Sequence, residues 1–285
     1  MPQDIFSKIQ GSEKIFTKAE RKVANFVMES PRDAMYMSIT DLAQRCGVGD
    51  TTVFRFCRTL KLNGYQDFKM TLAQSLSSTD SINNMTLSDE INISDSSEEV
   101  CRKLLSTDIT ALNQTFDMIN TEDIRTATDM IENARMIHFF GVGSSAIMAN
   151  EAKNKFSRIM PNIMFTLDSH MQAMASALLG EQDLAIAFSY SGSTKDMIEI
   201  LKRAKQNRAK TICITRYAES PLTAYADIVL LCGANEGPFQ GGSLSSRVAQ
   251  LYLLDVLYTE YFKRNHISCD YNKKCTTQAI ANKLL

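Results

Sequence analysis

Two short stretches carry the groups that could hold an anion. Gly141-Val142-Gly143-Ser144-Ser145 follows the apolar run Met136-Ile137-His138-Phe139-Phe140, and Ser189-Tyr190-Ser191-Gly192-Ser193-Thr194 follows Leu184-Ala185-Ile186-Ala187-Phe188. Each then opens into a helical pattern. A strand, a turn of small residues and a helix start together aim backbone N–H groups at one point, where a phosphate is favoured. Ser144 and Ser145 in the first stretch, and Ser189, Tyr190, Ser191, Ser193 and Thr194 in the second, add neutral hydroxyl donors. The pair reads as a pocket for one compact phosphate. Two other readings stand beside it. Gly141-x-Gly143-x-x-Ala146 fits the dinucleotide fingerprint, with Asp168 after the next strand as a ribose-binding acid. Ser193-x-x-Asp196 could be a capping box and nothing more. Hydroxyls clustered at one helix start suit a compact phosphate better than an extended pyrophosphate.

A third stretch points to nucleic acid. Thr17-x-x-Glu20 and Ser38-x-x-Asp41 each start a helix. Ser30-Pro31 stops the first, and Cys46-Gly47 ends the second. Only Val48-Gly49 then precedes a helix from Asp50 to about Leu60, whose Val53, Phe56, Cys57 and Leu60 have i, i+3, i+4, i+7 spacing. Two short helices joined by a glycine turn, the second with a hydroxyl and arginine face, form a helix-turn-helix pattern. Thr51, Thr52 and Arg55 are expected at base edges, and Arg58, Lys61 and Lys69 at phosphates. A solvated face on an ordinary three-helix bundle is the plainer alternative.

The elements that must position these groups follow in chain order. Residues 1–78 read as the all-α helix-turn-helix bundle. Residues 79–97 are polar and acidic, with linker composition and a few apolar positions. From residue 98 a long helical pattern leads into strands at 136–140, 163–166, 184–188, 210–214 and 227–231, which alternate with helices and end in one at 243–263. That alternation predicts an α/β domain, a parallel sheet with helices on both faces and ligands at the carboxyl ends of the strands.

Bulk properties bound the rest. The 285 residues carry 31 Lys and Arg against 32 Asp and Glu, so net charge makes no case for nucleic acid or membrane. Locally the balance differs: residues 1–78 hold 11 basic and 8 acidic side chains, and 78–100 hold six acids and no base. No apolar run approaches the roughly 20 residues that span a bilayer. The opening Met1-Pro2-Gln3-Asp4 lacks a signal-peptide pattern. The seven cysteines show no C-x-x-C and no metal spacing with His, which leads to the expectation of a reduced, cytoplasmic chain with no metal or cofactor.

Ile39-Thr40-Asp41-Leu42-Ala43, Val48 through Arg58, and Gly64-Tyr65-x-x-Phe68-Lys69 resemble the N-terminal domain of the RpiR (MurR/RpiR) bacterial transcriptional regulators. One departure is Gly49, where the family usually has Ser as the cap of the recognition helix; Gly caps less well by a few tenths of a kcal/mol. The two glycine and serine loops, in their order of elements, resemble the SIS (sugar isomerase) domain over about 120–265. The resemblance implies a three-layer fold and a sugar-phosphate effector. It places Gly143, Ser144 and Ser145 at the sugar or its phosphate, and Ser189, Ser191 and Thr194 around the phosphate, with the backbone N–H groups of Gly192 and Ser193. Glu236 stands where the family often has an acid reaching toward sugar hydroxyls. Arg247 could bind an anion or pair with Asp255; pairing is the preferred reading.

An isomerase would need a general base near the sugar. Glu236 is a candidate. His138 reads as a core residue, His170 is placed for ligand contact, and His266 lies in a C-terminal tail. With the helix-turn-helix, this favours a regulator over a sugar-phosphate isomerase: a homodimer or homotetramer on operator DNA, with no membrane partner.

Overall fold

The computed structural model describes residues 4–80, 91, 92, 94–234, 244–281 and 283. The N-terminal helices are α1 (Ile5–Gly11), α2 (Lys18–Glu29), α3 (Pro31–Tyr36), α4 (Ile39–Arg45), α5 (Asp50–Thr59) and α6 (Tyr65–Asp80). Both capping boxes form: Thr17 with Glu20 starts α2, and Ser38 with Asp41 starts α4. Gly47 has φ +61°, the left-handed conformation that lets the chain turn between α4 and α5. Thr40 Oγ1 donates to Asp50 Oδ2 at 2.9 Å across that turn.

Phe56 of α5 is fully buried, 5.3 Å from Phe16 and 5.7 Å from Phe68 by ring centroids. Removing such a ring costs about 3–5 kcal/mol and losing a cap about 1, so packing, rather than capping, sets the orientation of α5. Around Phe56 lie Ile5, Val23, Val27, Leu42, Val53 and Leu72.

Helix α7 (Ser97–Met118) follows, and by compactness the chain divides within it, between Ile109 and Thr110. The second unit then runs through α8 (Thr121–Asn133), β1 (Met136–Phe140), α9 (Ser144–Phe156), β2 (Ile163–Met164), α10 (Ser169–Ala177), β3 (Asp183–Phe188), α11 (Lys195–Gln206), β4 (Lys210–Thr215), β5 (Ile228–Leu231), α12 (Leu244–Arg264) and α13 (His266–Ala281).

All strand pairs are parallel, in the order β2-β1-β3-β4-β5. The core has two faces, as period-2 alternation requires. Leu184, Ile186 and Phe188 of β3 join one apolar cluster, with Ile137, Phe139, Phe156 and Leu254. Ala185 and Ala187 join the other, with Phe140, Met197 and Leu201. β3 is buried along its length because helices cover both faces.

Two expectations change here. The residues after Arg264, taken from the sequence as a tail around His266, form α13, which packs Cys269 into the core. Asp255 pairs with Lys155 of α9 rather than with Arg247. The ammonium of Lys155 also lies over the Tyr258 ring, so α9 and α12 are joined at that point. Among the described residues no helix is long and apolar enough to cross a membrane.

Glu20 ties two helices together. Its carboxylate accepts from the Thr17 amide at 2.8 Å and from Thr59 Oγ1 of α5 at 3.0 Å. Burial pushes the Glu20 carboxyl up, but the bonds from Thr17 and Thr59 and the charge of Arg55 outweigh it, leaving the group below the ordinary 4.5. A depressed carboxyl adds stability that is complete above its unfolded value and is lost as pH falls through the folded value. Glu20→Gln is therefore expected to cost about 1 kcal/mol near pH 7. Its Tm deficit against wild type should shrink as pH is lowered to about 3, measured by thermal unfolding.

Candidate functional site

The helix-turn-helix face comes first. Thr51, Arg55, Arg58 and Lys61 are exposed on α5 and just beyond it. Arg55 Nε donates to Thr51 O at 3.3 Å, which lays the guanidinium along the helix. The Arg58 guanidinium sits 5.3 Å from the centroid of the exposed Phe54 ring. Lys61 holds φ +62° at the end of α5, its amide closing onto Arg58 O at 2.9 Å.

The structure removes two residues from this face. Thr52 is buried, because it stands one turn before Phe56 on the inner side of α5. Lys69 is buried as well, with Nζ donating to Met37 O at 3.1 Å and lying over the Tyr65 ring. Burial pushes the Lys69 amine down to about 8, against the opposing pull of Asp41. Its positions relative to Tyr65 and Leu72 were the available signal: i+4 from one and i−3 from the other put it on the core side of α6. The caps agree with the sequence reading at Gly49, which starts α5 with no side-chain bond.

The anion loops come next. The order β2-β1-β3 makes the β1/β3 pair the switch point of the sheet, where crossovers leave to opposite sides and open a crevice at the strand ends. Phe140 aligns with Ala187 in adjacent parallel strands, so the two loops begin side by side, about 4.8 Å apart.

In the first loop Gly141 is buried, and a Cβ on it would meet Ser145 O at 2.6 Å, so the strand runs directly against the helix start. Gly143 precedes α9 with φ +58°, and no side chain caps the helix. Ser144 is exposed and Ser145 half-buried.

In the second loop Gly192 has φ +60°, and a Cβ would meet Ser220 Oγ at 2.1 Å. The Gly192 amide donates to Ser189 O at 3.1 Å, and the Ser193 amide to Ser191 Oγ at 3.3 Å. Those two amides, expected at the phosphate, therefore build the turn instead. Ser189 is buried beneath the loop, its Oγ reaching Thr194 Oγ1 at 3.4 Å, so it supports the loop from below. The capping box that was the alternative reading of Ser193 and Asp196 does not form: Thr194 is the N-cap, without a side-chain bond, and Ser193 Oγ donates to Ser191 O. The first-turn amides of α11 have no intrahelical acceptor. Like those of α9, they carry the positive end of a helix dipole, about half a charge. Two other helices of this unit are capped by a side chain: Asn120 caps α8 and Asp168 caps α10.

Asp168 accepts from Met171 N at 2.8 Å, so the acid expected on a ribose is engaged as a cap. His138 is half-buried in mid-strand, stacked 6.0 Å from Phe140, and burial lowers its pKa. His170 is exposed in the first turn of α10. Glu236 lies outside the described residues. Among the described residues no group of three or more His, Cys, Asp or Glu is arranged to hold a metal ion.

Three buried polar residues were not singled out in the sequence. Gln172 brackets Gly141, accepting from its amide and donating to its carbonyl. Thr215 donates to Tyr190 O at 3.2 Å, and Ser220 packs behind Gly192. A Gln inside the otherwise small and apolar Met171-Gln172-Ala173-Met174-Ala175 was the only local hint.

The profile of the helix-turn-helix domain of the rpiR family matches residues 3–79, and that of the SIS domain matches 130–260. A regulator of Haemophilus influenzae, named as an HTH-type transcriptional regulator, is 34% identical over 90% of this chain and 88% of its own. HexR of Escherichia coli is 32% identical over 97% of this chain and 94% of its own. The chain belongs to the RpiR family. Among solved structures, Vibrio vulnificus NanR in complex with ManNAc-6P superposes with TM-score 0.86 at 26% identity, covering 98% of both chains. The RpiR fold, helix-turn-helix followed by SIS domain, is thus the fold of this chain, as its sequence pattern predicts.

A side chain at Gly192 would face both a left-handed backbone and Ser220. Gly192→Ala is expected to lower stability by about 1–2 kcal/mol from the backbone alone, and more with the clash, read as a fall in Tm. A Gly192→Ala protein as stable as wild type would contradict this loop geometry.

Proposed function

We propose that this chain is a DNA-binding transcriptional regulator whose SIS domain senses a phosphorylated sugar, without turning it over. One observation carries the ligand reading: two uncapped helix N-termini stand on the adjacent strands of the switch point, among small and hydroxyl residues. The likeness to NanR, solved with ManNAc-6P, supports the same class of ligand. Ser144, Ser145, Ser191, Ser193 and Thr194 supply the hydroxyl donors, and the first-turn amides of α9 and α11 supply the dipoles. Gly143 allows the close approach, Ser189 and Gly192 shape the loop, and Glu236 reaches the sugar hydroxyls.

Residues 1–78 form the DNA module, 79–97 the linker, and 98–285 the sensing module. Thr51 and Arg55 meet base edges while Arg58 and Lys61 meet phosphates. A homodimer or homotetramer sets two modules on a pseudo-palindromic operator. The effector shifts DNA affinity only as far as it binds one arrangement of the assembly better than another. The protein acts in the cytoplasm, where both partners are found.

Arg55→Ala should weaken operator binding by about 1–3 kcal/mol and relax specificity at one base position, as read by titration against point-varied operator duplexes. Equal affinity for all duplexes in both proteins would remove Arg55 from the interface. Ser191→Ala combined with Thr194→Ala should abolish stabilisation by sugar phosphates in a thermal-shift panel while operator binding persists. The panel holds hexose, pentose and N-acetyl amino-sugar phosphates, the free sugars and dinucleotides. A ligand at 100 times its Kd adds about 2.7 kcal/mol, well within detection. A shift from a dinucleotide alone would overturn the sugar-phosphate reading, and turnover of a sugar phosphate by pure protein would make the chain an isomerase.

A further inference from the structure

The outer side of α5 carries one residue that the DNA reading leaves without a role. Thr51, Phe54, Arg55 and Arg58 stand at i, i+3, i+4 and i+7, and all four are exposed. Three of them are polar or charged. Phe54 is an apolar ring, 43% exposed, and among the described residues of the first unit it is the one exposed aromatic side chain. A single apolar residue in water is ordinary. This one differs in its position, in the middle of the face proposed to meet base edges, and in how it is held.

Two neighbours fix the ring. The Arg58 guanidinium lies 5.3 Å from its centroid. In the turn between α5 and α6, a Cβ on Gly64 would stand 3.6 Å from Phe54 Cε2, so the turn backbone closes on the ring. Gly64 holds φ +153° there, which a residue with a side chain rarely adopts. A ring packed on two sides has little freedom left to lose, so contact with a partner costs it little entropy. Its exposure is what remains with both neighbours in place.

The chemistry of the ring selects its partner. It has no donor and no acceptor, so it cannot pair with the polar groups of a base edge. One group in the major groove is apolar, the C5-methyl of thymine. Apolar wedges that unstack bases enter by the minor groove, whereas a recognition helix lies in the major groove.

We infer that Phe54 selects thymine at one position of each operator half-site by packing its ring on the C5-methyl. This rests on the operator-binding reading above, and adds to it an apolar contact beside the polar ones of Thr51 and Arg55.

The test uses the full chain and DNA duplexes that it selects from a random pool. Each thymine of a selected duplex is replaced in turn by uracil, which pairs as thymine does and lacks only the methyl. Burying one such carbon is worth about fourfold in affinity. For wild type, one replacement per half-site is expected to weaken binding about fourfold, as read by titration at fixed salt. For Phe54→Ala the same replacement should change nothing. Phe54→Gln, whose methylene stem still covers the Gly64 turn, gives the same reading if the Ala variant fails to fold. Wild type binding every uracil duplex as tightly as its thymine parent overturns the contact. A methyl effect that persists in Phe54→Ala also overturns it, and leaves the ring only as a rest for Arg58. Failure to select any duplex would overturn the operator reading itself, and this contact with it.

Discussion

A parallel sheet puts all its carboxyl ends on one edge, and everything the second unit does depends on that. With the order β2-β1-β3-β4-β5, chain connections leave β1 and β3 for opposite sides, so no loop crosses the gap between them. Both strands end there in a short turn and a helix start. The turns are short because glycine lets the chain come close: Gly141 lies against the first-turn backbone of α9, and Gly192 against the Ser220 side chain. Larger residues would push the helix starts away from the strand ends and take the dipoles with them.

Helix starts differ in how they are closed. A side chain closes four of them: Thr17 with Glu20 at α2, Ser38 with Asp41 at α4, Asn120 at α8 and Asp168 at α10, while α1 and α3 begin without such a bond. At the switch point, Gly143 and Thr194 leave α9 and α11 without a side-chain bond. Each omission forgoes about 1 kcal/mol of helix stability. Gly49, the N-cap of α5, likewise makes no side-chain bond, on the helix proposed to meet base edges.

Polar residues buried next to the loops complete the scaffold. Gln172 satisfies both hydrogen-bonding groups of Gly141, Thr215 reaches Tyr190 O, and Tyr190 OH donates to Ala234 O at 2.6 Å. Buried polar groups stay only where they are paired, so these bonds hold the loop backbones in one arrangement. Lys69 does similar work in the first unit, at greater cost, since it carries an amine into the interior to meet Met37 O.

What the sequence determined by itself was local and periodic. Strand alternation, helical spacing, the Thr17 and Ser38 boxes and the two glycine loops each rest on a few neighbouring residues, and so the family and the fold class were legible. Tertiary structure decided which side of each element faces inward. Thr52 and Lys69 are polar by type, yet the helices that carry them turn them to the core, and their period with Phe56 and Leu72 outweighs their polarity. The pairing of Asp255 with Lys155, distant in the chain, and the grip of Gln172 on Gly141 depend on which helices become neighbours. The amides of Gly192 and Ser193 were assigned to a ligand by motif, but the closing of the turn claimed them first. Hydrogen bonds and burial are settled by contacts between segments far apart in sequence, and a motif reports only the segment in which it lies.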